Sequence, residues 1–141
     1  MKSQYLPATQ WIITILLLLV AGNGYTQRAI TWKGGTPGMK NEWYCPQNWS
    51  TASVPDEFSD VIIPDVSTST FASPVIKSGD VEINSLELHT NATLTIEGKA
   101  RLVVVSHVEG LTLAKLKGEG KLILEDRAAP KITKLVADQS H

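Results

Sequence analysis

Between Val81 and Glu125, short apolar triplets recur with polar residues and glycines between them: Leu86-Glu87-Leu88, Leu94-Thr95-Ile96, Leu102-Val103-Val104, Leu111-Thr112-Leu113 and Leu122-Ile123-Leu124. Successive side chains of an extended chain point to opposite faces, so the outer two residues of each triplet share one face and the middle one turns away. The steps from Leu86 to Leu94 and from Leu94 to Leu102 are eight residues each, then nine to Leu111 and eleven to Leu122, lengthening as the glycines accumulate. The pattern predicts a ladder of minimal strands, each burying two side chains before a corner.

Strands spaced in this way also occur in β-sandwiches, which stay open as the alternative. Sandwich strands typically run about five or six residues. Triplets suit a chain that coils and stacks each rung on the last. The expectation is all-β: a short right-handed parallel β-helix, or β-solenoid, with three triplets to a turn and a rung of about 24 to 30 residues. Upstream, Asp60-Val61-Ile62-Ile63-Pro64 reads as the first regular strand, closed by proline. Ser67 to Ser73 reads as a loop, Pro74-Val75-Ile76 as a second strand, and Gly79-Asp80 as a turn. Asn91, Gly98, Gly110, Gly118 and Gly120 mark corners that need positive φ. Ile132 to Val136 reads as one more strand or a capping turn.

The 141 residues carry thirteen basic and fourteen acidic side chains, a net charge of −1, spread along the chain. One domain is expected, without the basic footprint of a nucleic-acid or anionic-membrane binder. The single cysteine, Cys45, excludes an internal disulfide framework. At the N-terminus, Lys2 and a polar lead precede the apolar run Trp11 to Ala21, followed by Gly22 and Gly24. That run suits a signal-peptide core and is short for a membrane span. Cleavage is expected after Gly24 or Thr26. The divisions are therefore a signal peptide over 1–26, a Trp-rich cap and first strand over 27–64, solenoid rungs over 65–136 and a frayed tail over 137–141. The mature protein is expected to be secreted or at the outer cell surface, or in the periplasm, without a membrane span.

From Ile30 to Pro64 the composition changes. Trp32, Trp43, Tyr44 and Trp49 stand among Gly34, Gly35, Gly38, Pro37, Pro46 and Pro55. Two readings follow: a platform on which sugar rings stack, using those four aromatics, or a compact plug over the end of the ladder. The plug is preferred, because stacked-strand folds need caps and loop-rich segments use aromatics as cores.

The run Thr31-Trp32-Lys33-Gly34, then Trp43, Asn48-Trp49-Ser50, Val54-Pro55 and Asp60 to Pro64 resembles the opening of secreted bacterial surface proteins, especially of the Bacteroidetes, and of some autotransporter passengers. The resemblance spans about residues 30 to 105 and implies a parallel β-helix after a Trp-rich opening. It also implies a longer protein with a terminal secretion-sorting domain. None is read after Ala128, which suits a fragment of a larger surface protein.

Asp56, Glu57, Asp60 and Asp65 cluster around the first strand, and Asp56, Asp60 and Asp65 are the candidate calcium ligands, although no glycine-anchored ligand loop accompanies them. A solvated turn is preferred, and no cofactor is expected. Glu125 and Asp126 point to opposite faces of a strand and form no acid–base pair. His89 and His107 fall at separate turns, Gly118-Glu119-Gly120 lacks the features of a phosphate-binding loop, and no catalytic set is read. Asn48 and Asn91 match the glycan-acceptor pattern, and neither is assigned. The expected function is a non-catalytic structural or adhesive surface module. The alternatives are a carbohydrate-binding module and a truncated polysaccharide-active β-helix enzyme. Polysaccharide and self-association through strand edges are the candidate partners.

Overall fold

The computed structural model of the chain describes residues 27–112 and 115–125, and the backbone of 133–136. The segment read as a signal peptide and the tail after Val136 lie outside the described residues. Within them run β1 (Arg28–Thr31), β2 (Ser59–Ile63), β3 (Val75–Ile76), β4 (Asp80–Leu88), β5 (Leu94–Ile96), β6 (Arg101–Glu109), β7 (Leu116–Lys117), β8 (Lys121–Leu124) and β9 (Thr133–Val136). Pro46–Asn48 forms a 3-10 turn.

Two sheets form, a six-stranded one in the order β1-β2-β4-β6-β8-β9 and a three-stranded one in the order β3-β5-β7. From β2 to β8 the chain alternates between them at every connection. All pairings are parallel except that of β8 with β9. The sheets of a β-sandwich are antiparallel, so the alternative held open by the strand spacing does not describe this chain.

Register shows how far the chain travels before returning. Val61 pairs with Leu86, Val81 with Leu102, and Leu102 with Leu122, returns of 25, 21 and 20 residues. The first falls within the rung of about 24 to 30 residues expected from the triplet spacing, and the other two are shorter. The shortening accompanies β4 and β6, nine residues each, which run on through a bend without an intervening loop. Between Ile83 and Ser85 the pairing shifts, with one extra residue on β6. A bulge of this kind bends a strand without ending it.

Inward residues stack in columns. Ile30, Val61 and Leu86 are in register, as are Val81, Leu102 and Leu122, and all are buried. Each such Leu, Ile or Val contributes about 1.5–3 kcal/mol of burial free energy. The middle residues Glu87, Thr95 and Val103 are only half-buried, as the triplet pattern requires. Three details depart from expectation. The sheet begins at β1, before Asp60, where Ile30 is the lone buried residue. One apolar position shows no alternation, so the sequence conceals this strand. Leu111 and Thr112 form no strand but cross to the small sheet, where Leu116 is the buried residue instead. Gly120 does not adopt positive φ; it is small because the Ile96 side chain occupies the place of its Cβ.

At the bend a polar spine crosses three strands. Asp60 Oδ1 accepts from Asn84 Nδ2 and from Ser85 Oγ, both at 2.6 Å, and Asn84 Oδ1 accepts from Ser106 Oγ at 2.7 Å. Asn84 and Ser85 are buried, and satisfied polar groups cost little where orphaned ones cost much.

Candidate functional site

The Gly/Pro-rich segment between β1 and β2 folds around its tryptophans. Trp32 and Trp43 each meet Trp49 edge-to-face, with centroids 4.8 and 4.7 Å apart. The indole of Trp32 donates to Ala72 O and that of Trp49 to Trp43 O, both at 2.8 Å. All three are at most 1% exposed, so they offer no ring face to a sugar and the four-aromatic platform does not form. Tyr44 alone is exposed, and its hydroxyl donates to Ser78 O at 2.9 Å. Partial burial, with the Asp80 carboxylate nearby, pushes its phenol pKa up. Asn48 locks the plug: its amide nitrogen donates to Met39 O and Glu42 O, and its oxygen accepts from the Thr36 N–H. Buried and committed in this way, Asn48 is closed to a glycan. Cys45 is a buried core residue.

The acids named as candidate calcium ligands work separately. Asp56 accepts from Ser59 Oγ, from the Phe58 N–H and from Arg28, and the Ser59 hydrogen bond leads in holding its pKa down. Asp60 belongs to the polar spine. Asp65 accepts from the Ser67 hydroxyl, the Ser67 N–H and Asn91, and its pKa is lowered in that order of cause. Among the described residues no three His, Cys, Asp or Glu side chains converge on a metal position.

Asp60, Ser85 and His107 stand in one row across β2, β4 and β6. Their order defeats a nucleophilic relay, which needs histidine between serine and acid. Ser85 donates directly to Asp60, while the His107 ring lies 3.9 Å from Glu109.

A cleft of about 560 Å³ opens where three adjacent parallel strands end. Asp65 follows β2, His89 and Thr90 follow β4, Glu109 and Gly110 close β6, and Lys115 reaches in ahead of β7. Glu87 and Glu109 are register partners, their backbones one strand spacing, about 4.8 Å, apart. His89 Nε2 lies 3.0 Å from Glu87 Oε1. The Lys115 ammonium donates to the carbonyls of Leu88 and His89, at 3.2 and 2.9 Å, tying the segment before β7 to the end of β4. No described carboxylate lies within ion-pair distance of it. The triplet rule makes Glu87 outward-facing but does not bring these residues together. The available signal was the recurrence of an apolar residue followed by Glu, Leu86-Glu87 and Val108-Glu109, at register distance.

A family model described as a domain of unknown function (DUF8693) matches residues 31–132. No curated protein and no solved structure matches the chain. Among the described residues no helix is long and apolar enough to cross a membrane.

Proposed function

Because the chain belongs to the DUF8693 family, whose description carries no activity, we propose a function from its own geometry: it is a non-catalytic structural or adhesive module, exported to the cell surface. In this reading the two sheets are walls of one short right-handed β-solenoid, and the tryptophan segment is its cap. The observation that carries the reading is the alternation of parallel strands between two sheets over aliphatic columns. Right-handedness follows from the preference of about 98% of parallel crossovers for that hand. The apolar run Trp11 to Ala21 supports export, and the tryptophan-rich opening supports kinship of architecture with secreted bacterial surface proteins. The saturated acids of the first strand and the broken Asp60–Ser85–His107 row favour a scaffold over an enzyme.

The test uses the Trp11→Phe chain, so that fluorescence reports the plug alone. Emission resistant to iodide and unchanged by polysaccharides, with no reducing ends released on long incubation, is the expected outcome. Release of reducing ends would overturn the non-catalytic assignment, and strong quenching would overturn the cap.

A further inference from the structure

The cleft at the ends of β2, β4 and β6 carries Glu87, Thr90 and Glu109, polar side chains that neither the tryptophan segment nor the strand pairing requires. Its hydrogen-bonding inventory is specific. Asp65 engages both oxygens with Ser67 and Asn91, and Glu87 gives one oxygen to His89. The second oxygen of Glu87 has no hydrogen-bond donor among the described residues. Glu109 is held only by the long contact with His107, its side chain 67% exposed. Lys115 commits two of its three ammonium donors to Leu88 O and His89 O. What remains is an excess of carboxylate acceptors with one fixed ammonium donor, the Thr90 hydroxyl and an imidazole.

Ligand classes can be sorted against that inventory. Three carboxylates repel a phosphate or carboxylate ligand. Leu88 is the one aliphatic side chain among the lining residues, too small an apolar wall to hold a hydrophobic ligand against the surrounding ionised and hydroxyl groups. A divalent ion finds no three convergent ligands. A hydroxyl-rich neutral ring fits: its O–H groups donate to Glu87 and Glu109, charge-assisted hydrogen bonds of the stronger kind. One of its oxygens accepts from Lys115, and its apolar face lies against the His89 ring. The volume of about 560 Å³ falls within the range of small-molecule sites.

We propose that the cleft bounded by Asp65, Glu87, His89, Thr90, Glu109 and Lys115 binds a saccharide residue. The proposal stands on the cleft and not on the solenoid reading. It moves sugar contact from the tryptophans to the opposite kind of surface, polar and open. The saccharide is bound and not cleaved.

The test is amide NMR on the full chain, titrated with neutral oligosaccharides of glucose, xylose, mannose and N-acetylglucosamine, with spermidine and inorganic phosphate as separate arms. A neutral oligosaccharide is expected to shift the amides of His89, Thr90 and Gly110. Glu109→Ala, at an exposed position, should weaken that binding about tenfold without moving the melting temperature. Thr90→Val provides a second, independent loss of affinity. Shifts caused by spermidine or phosphate alone, no shift with any probe, or unchanged binding in both variants would each overturn the proposal.

Discussion

A methyl group is enough to disturb the corners of this chain. Gly110 and Gly118 both hold positive φ, +68° and +92°, and each lies where an added Cβ would run into a carbonyl oxygen of the neighbouring strand, Leu88 O or Ile96 O. Gly98 also has positive φ, +54°, but faces open space. Gly98→Ala should therefore cost about 1–2 kcal/mol, the left-handed backbone penalty alone. Gly110→Ala adds a backbone clash to that penalty and should cost more, about 3 kcal/mol or above; thermal melts of the two variants check the order. Carboxylates set the acid limb. Asp56, held below its ordinary pKa chiefly by Ser59, contributes stability above the unfolded-state value of about 3.9. That contribution is lost as pH falls through the lower folded-state value. Asp56→Asn should melt below the wild type at pH 7 and match it near pH 2.

The strands are legible because their inward positions are apolar and their middle positions are not. Leu94 is fully buried and Thr95, its neighbour, is not. Leu94→Asp places a carboxylate among aliphatics and should cost about 4 kcal/mol or more, whereas Thr95→Asp should cost under about 1 kcal/mol; equal melting losses would refute the face assignment. The same alternation located β5, β8 and both halves of β4 and the first half of β6. It failed for β1, whose four residues contain one buried side chain, and for β7, whose Leu116 replaced the more conspicuous Leu111. It also missed the bend in β4, because nothing in Asn84 and Ser85 themselves marks a bend when their partners Asp60 and Ser106 are out of view. The tryptophan plug was legible as a plug, but its Asn48 keystone was not: three backbone partners gathered from Thr36, Met39 and Glu42 leave no periodic trace. The cleft was illegible for a similar reason, since it assembles turn residues that only register brings together.

If the two sheets wind as one coil, one whole turn can be removed without breaking the register of its neighbours. Val81 and Leu102 occupy equivalent places on neighbouring strands, 21 residues apart. Excising residues 81–101 should then leave a shorter chain that still melts cooperatively, at a lower temperature. Excising residues 81–90 should leave one that does not fold, because the columns no longer meet. Circular dichroism melts distinguish the two. The polar spine bears on how such a chain finds its pitch. Leu over Val over Ile is nearly as good as any other stacking of those three, so the aliphatic interior hardly discriminates between correct threading and a slip. Asp60, Asn84 and Ser106 do discriminate, because a strand out of step would bury a carboxylate or an amide with nothing to bond. In such a coil these three side chains would act as a proofreading device, rejecting slipped strand pairings while the greasy interior supplies the drive to collapse.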